Sequence, residues 1–168
     1  MFNDQKDSVT KLTQGAVIAA VYVVLCVVFA AISYGEVQVR IAEALTILPV
    51  FTPAAIPGLF IGCIISNLIG GATMLDIVFG SLATLIGAIG TYMLRSKPRW
   101  IAIIPPIISN TIIIPLVLKY GYGVDLPIWM LMISLFIGEF ISCGIFGLIF
   151  AAALDKAKIG RILTSPNA

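Results

Sequence analysis

The chain has 168 residues, of which 60% are apolar and only 11% charged, and its mean hydropathy is +1.12. A soluble domain carries about a quarter of its residues as charges, so this composition excludes an ordinary water-soluble globule. A membrane-crossing helix takes ~20 apolar residues; the chain therefore has room for about six and no sizeable soluble domain. The expected class is an all-α integral membrane protein forming a single transmembrane domain over residues 1–168.

The polar start, Met1–Asp7, leads into a long apolar run without a small-residue cleavage site. This reads as a retained first span over about residues 12–33 rather than a signal peptide. Gly15/Ala19 and Ala16/Ala20 are spaced four apart along it. Small residues at that spacing let helices approach closely, either within the bundle or against a partner protein at the end nearer the amino terminus. A dense polar block follows, Tyr34-Gly-Glu36-Val-Gln38-Val-Arg40-Ile-Ala-Glu43. Ionisable groups inside a membrane are costly, about 2.5–3.5 kcal/mol each on insertion scales, and so mark functional sites. The competing reading is that Arg40 and Glu43, one helical turn apart, simply pair with each other.

The second segment, about residues 41–51, is short. Pro49, Pro53 and Pro57 bracket a reversal, because proline cannot continue a helix interior. The third, about 54–69, carries the ladder Gly58, Gly62, Ser66 and Gly70, expected to serve internal packing, and Asn67 near its end. Both segments are short enough to be tilted, broken or re-entrant. The fourth, about 74–94, begins near Asp76, which either lines a site or caps the helix, and continues with Ala83, Gly87 and Thr91. The fifth, about 100–118, holds Asn110 between Pro106 and Pro115. The sixth, about 126–154, places Trp129, Met132, Phe136, Glu139 and Cys143 at three- and four-residue spacing, predicting a shared stripe. Trp129 is alternatively an interfacial anchor. Glu139 has no basic residue within reach on its own helix, so a ligand, an asparagine or a proton must satisfy it.

Eight of the ten Lys and Arg residues cluster before the first span, in the Arg95–Arg99 loop and after the last span. The positive-inside rule places those regions and both termini in the cytoplasm, and an even number of spans follows. Asn67, Asp76, Glu43 and the Tyr34–Arg40 run then lie toward the outer face and can line one cavity, with Asn110 and Glu139 deeper. These short basic clusters read as topology signals rather than nucleic-acid patches. Histidine is absent, and the three cysteines (Cys26, Cys63, Cys143) lie in apolar runs, which argues against zinc, haem and a disulfide framework. No GxSxG, HExxH or GxxxxGK[ST] occurs. The chain thus lacks the phosphate-cradling loop of a P-loop ATPase, and no cofactor is expected. A solute-binding membrane subunit fits these residues better than a stand-alone membrane enzyme or assembly factor.

The block Tyr34–Glu43 with its continuation to Leu48-Pro49, Thr52-Pro-Ala-Ala-Ile-Pro-Gly58, Ser66-Asn67-Leu-Ile-Gly-Gly71 and Leu75-Asp76-Ile-Val-Phe-Gly-Ser-Leu-Ala-Thr-Leu resembles the QueT family. These motifs extend over nearly the whole chain. The resemblance implies a six-helix substrate-binding (S) component of a bacterial energy-coupling factor (ECF) transporter for queuosine precursors, which are 7-deazaguanines. It further implies an outward-facing pocket, a complex with a transmembrane coupling protein and two ATPases, and an AxxxA docking motif, here Ala16 and Ala20. The candidate substrate-binding residues are Glu139, Glu43, Asn67, Asp76, Asn110, Gln38, Arg40, Tyr34, Trp129 and Phe136. A carboxylate accepts the adjacent N1–H and exocyclic NH₂ of a deazaguanine, an amide or guanidinium serves its carbonyl, and a further acid balances an aminomethyl cation. A riboflavin- or thiamine-like vitamin is the alternative cargo for the same role.

Overall fold

The computed structural model describes residues 2–29 and 40–164. The described residues are all helical, with no strand. Helix α1 (Phe2–Val28) is followed by a 3-10 helix, Ile41–Val50, and by α2 (Ala55–Ile69). A π-helical segment, Asp76–Gly80, runs into α3 (Ser81–Met93). The short α4 (Arg99–Ala102) precedes α5 (Ile104–Gly121). Helix α6 (Ile128–Glu139) passes through a second π segment, Phe140–Phe146, into α7 (Gly147–Lys156), and α8 (Ile159–Thr164) ends the described chain.

Four of these stretches are long and apolar enough to cross a membrane: Asp7–Val28, Asp76–Met93, Arg99–Gly121 and Ile128–Lys156. The other two are shorter. Ten residues of 3-10 helix rise about 20 Å and fifteen of α-helix about 22 Å, both less than the ~30 Å hydrocarbon core. Large apolar side chains such as Val17, Val24, Ile61, Ile86, Ile112 and Ile133 face outward, as a lipid-facing surface requires.

The spacing of small residues sets the inter-helix distances. A Cβ built on Gly58 would lie 2.6 Å from the backbone oxygen of Gly15, and one on Gly62 would lie 3.0 Å from Tyr22 Cβ. The ladder on α2 thus packs against α1 with backbone nearly touching backbone, and it serves internal packing as its spacing predicts. Gly70, at the end of α2, is exposed and takes no part. The α3–α5 contact is built alike: a Cβ on Gly87 would meet Pro106 Cα at 2.7 Å, and Thr91 donates to the Ala102 carbonyl at 2.8 Å.

The 3-10 helix is the innermost element, with Ala42 through Pro49 all buried. Its three residues per turn stack Arg40, Glu43 and Thr46 on one side. Thr46 donates to the Glu43 carbonyl at 2.6 Å, securing that turn. At the far end of this helix Phe51 is covered by Arg99, whose guanidinium lies 5.0 Å from the ring centre and also pairs with Asp155. That pair is more than a third exposed, so Arg99→Ala is expected to cost no more than about 1 kcal/mol, read as a small shift in thermal unfolding in detergent. A loss of several degrees would instead show that Arg99 organises this end of the bundle.

Most of the basic residues gather at one end. Lys11, Asp7 and Arg95 line a common cleft there with Phe51 and Tyr92, and Arg99 reaches Asp155 at the end of the last long stretch. The amino-terminal part of α1, the Arg95–Arg99 loop and the carboxyl-terminal end of α7 therefore share that end. Arg40, Gly71, Asp76 and Tyr122 lie at the opposite one.

Candidate functional site

The 3-10 helix delivers Arg40 and Glu43 into the bundle, the Asp76–Gly80 segment delivers Asp76, and the middle of α5 delivers Asn110. Glu139 closes α6, eleven residues past its start, or ~16 Å at 1.5 Å per residue. All five are buried, at 7% exposure or less, and so is Asn67. Burying three acids beside one base in an apolar bundle is costly, and the hydrogen bonds show how the cost is offset.

Glu43 Oε1 accepts a 2.6 Å bond from the hydroxyl of Tyr22, which is wholly buried on α1. Glu139 Oε1 accepts from Asn110 Nδ2 at 3.0 Å, and its Oε2 from the Cys143 thiol at 3.2 Å. Thr46 and Cys143 interlock at 3.3 Å. One ligating atom each from Glu43, Glu139 and Cys143 falls within 4.8 Å of the other two. The two carboxylates therefore face one small volume.

A second group adjoins the first through Arg40. Its Nη2 lies 3.8 Å from Asp76 Oδ2, which also accepts a 2.9 Å bond from Tyr122. Burial, and next the Asp76 carboxylate, push the Tyr122 hydroxyl up from its usual range. Asn67 Nδ2 donates to the Asp76 carbonyl at 3.3 Å. Asp76 does not cap its helix through its side chain; its own amide instead donates to Thr73 Oγ1 at 3.4 Å. Arg40 thus engages Asp76 in addition to lying within electrostatic reach of Glu43.

Gly80 makes room for this second group. A Cβ there would stand 2.6 Å from Asp76 Oδ1 and 3.4 Å from Asn67 Nδ2. Gly80→Ala is accordingly expected to displace the Asp76 carboxylate and weaken ligand binding about tenfold, the loss of one hydrogen bond to a charged group. Titration calorimetry checks this; unchanged affinity would remove Asp76 from the site.

Two expected site residues stand elsewhere. Trp129 and Phe136 are 63% and 50% exposed on the outer surface, and Phe136 stacks on Phe140. At 100° per residue, the ten residues from Trp129 to Glu139 leave them about 80° apart, so the predicted single stripe divides. The inward side of α6 is Leu131, Leu135, Gly138 and Glu139, continuing to Cys143. Tyr34 and Gln38 lie outside the described residues. Ala16 and Ala20 are exposed, on a groove of about 380 Å³ between α1 and α2 lined also by Leu12, Ile61 and Ile65.

Sequence reasoning missed Tyr22 and Tyr122. The signal for Tyr22 was present: it shares a buried stripe with Ile18 and Cys26, and a buried tyrosine hydroxyl needs a polar partner.

An apolar helical bundle with ionisable side chains held in its interior defines an integral membrane protein, and those side chains mark its candidate functional site. A profile of the QueT transporter family matches residues 12–156, and the chain belongs to that family, one of transporters rather than enzymes. It is 40% identical over 73 residues to the queuosine precursor transporter QueT of Lactococcus lactis subsp. cremoris (strain MG1363); the aligned stretch covers 42% of this chain and 43% of that protein. No solved structure matches.

Proposed function

We propose that the protein is the membrane-embedded substrate-binding subunit of an ATP-driven ECF importer, and that it captures a 7-deazaguanine precursor of queuosine from outside the cell. The observation that carries this reading is the pair of buried carboxylates, Glu43 and Glu139, facing one small volume, with Asn110 hydrogen-bonded to Glu139. The name of the Lactococcus relative points the same way.

The 2-amino-pyrimidinone edge of a deazaguanine offers two adjacent N–H donors, which a carboxylate accepts together. Asn110, Asn67 and Arg40 supply donors for its carbonyl. Among the described residues, three buried acids stand against one buried base, which also favours a ligand bearing positive charge, such as the aminomethyl form. A site with buried acceptors built for N–H donors rejects analogues lacking them, because those acceptors are then left unpaired. Tyr34 and Gln38 belong to the same proposed site, with Trp129 and Phe136 serving at the lipid surface instead.

Import energy comes, on this reading, from a transmembrane coupling protein and two ATPases, with the basic end of the bundle in the cytoplasm. The exposed Ala16/Ala20 face is the docking surface for the coupling protein. Ala16 is exposed on the groove beside the α1–α2 contact, so Ala16→Leu is expected to leave folding and ligand binding intact while abolishing co-purification with the coupling protein and uptake. Retained uptake would sink that docking assignment.

The direct test is calorimetric titration of the detergent-solubilised chain with the aminomethyl and cyano deazaguanines and queuine, with guanine and riboflavin as controls. One-to-one binding of a deazaguanine is expected. Binding of riboflavin alone would retain a vitamin-binding subunit and overturn the cargo.

A further inference from the structure

Four carboxylate oxygens belong to Glu43 and Glu139, and three of them are engaged: Glu43 Oε1 by Tyr22, Glu139 Oε1 by Asn110 and Glu139 Oε2 by Cys143. The fourth, Glu43 Oε2, is buried and accepts no hydrogen bond among the described residues. A buried acceptor left without a donor costs roughly as much as a hydrogen bond to it returns, so this oxygen is where a ligand N–H gains most.

We infer that Glu43, rather than Glu139, accepts the N–H edge of the ligand, and that Tyr22 is the positioning residue that aims it. The inference rests on the functional reading above and assigns roles within it. Several features of Tyr22 suit the task. The ring is wholly buried, with its Cβ against the position where Gly62 lacks one. That contact fixes where the hydroxyl stands, so a 2.6 Å bond to Oε1 sets the rotation of the carboxyl group and with it the direction of Oε2. The other side of the glutamate is anchored by its backbone, whose carbonyl accepts from Thr46 at 2.6 Å. Glu139 orients the Asn110 amide by accepting one of its two Nδ2 hydrogens, which leaves the second hydrogen and the amide oxygen for other partners.

The test is a double-mutant cycle on affinity for the aminomethyl deazaguanine, using Tyr22→Phe, Glu43→Gln and the pair together. Each variant is first shown to be monodisperse with a wild-type unfolding profile; the phenylalanine keeps the buried ring and the Cβ that faces Gly62. Tyr22→Phe is expected to weaken binding about ten- to a hundredfold, as for loss of one hydrogen bond to a charged group. The double variant should be no weaker than Glu43→Gln alone, because Tyr22 acts only through Glu43. Losses that multiply in the double variant would make Tyr22 a merely structural residue and overturn the inference. So would wild-type affinity in Tyr22→Phe or in Glu43→Gln. Absence of any deazaguanine binding by the wild-type protein fails differently: it removes the functional reading, and the inference with it.

Discussion

A Gly58→Leu variant is expected not to accumulate as a folded protein, whereas Ala20→Leu, on the exposed face of the neighbouring helix α1, should fold normally. Even one added methyl at position 58 would sit 2.6 Å from a backbone oxygen of α1. Overpacking usually costs about 1–3 kcal/mol because neighbouring side chains yield. Here the neighbour is the backbone of Gly15, which yields only if the two helices separate. Separation would also part Gly62 from Tyr22 and so disturb the Glu43 hydrogen bond two turns along. Ala20 is exposed and meets no such obstacle. Thermal unfolding of Gly58→Ala, Gly58→Leu and Ala20→Leu in one detergent reads the series; a folded Gly58→Leu protein with an unchanged midpoint would show that α1 and α2 are not held at this distance.

The second large effect is expected at Glu139, and it depends on ligand charge. Glu139→Ala strips the acceptor from Asn110 Nδ2 and from the Cys143 thiol, which frees the amide to turn. It also removes one of the three buried acids. The first change weakens every ligand that uses Asn110, by about tenfold for a typical lost contact. The second penalises a cation in addition, since charge–charge energies grow as the surrounding dielectric falls. The cationic aminomethyl deazaguanine should therefore lose about a hundredfold in affinity and the neutral cyano compound about tenfold. Equal losses for the two would show that the carboxylate acts through geometry alone. The midpoint of thermal unfolding should fall as well, because Asn110 Nδ2 and the Cys143 thiol lose a buried acceptor, so the two affinities are compared on variant protein shown to be folded.

Much of this arrangement is legible in the chain. Hydropathy alone separates the segments, and the all-helical class follows from it. Four-residue spacing of glycine and serine marks α2 as a close-packing face before any coordinates, while its partner, α1, emerges only from the structure. Glu43, Asp76, Asn110 and Glu139 stand out for the same reason that they converge: each is too costly to leave facing lipid. What was not legible depends on rotation about helix axes. Trp129 and Phe136 fit three- and four-residue steps to Glu139, yet those steps drift, and the π segment after Glu139 shifts the register again. The 3-10 geometry of Ile41–Val50 was equally hidden, and it is what aligns Arg40 with Glu43 and Thr46. Tyr22 was missed because a lone tyrosine in an apolar helix reads as packing until its hydroxyl acquires a partner.

The outward placement of both tryptophans has a spectroscopic consequence. Trp100 and Trp129 are 61% and 63% exposed, one just after the basic Arg95–Arg99 loop and the other just after the loop that follows α5. Each end of the bundle thus carries one tryptophan on its lipid-facing rim, and neither indole lies beside the acids. Quenching by lipids brominated at different depths would locate the two rims along the bilayer normal without any label. The same emission should respond weakly to ligand, so a silent fluorescence titration says nothing against binding.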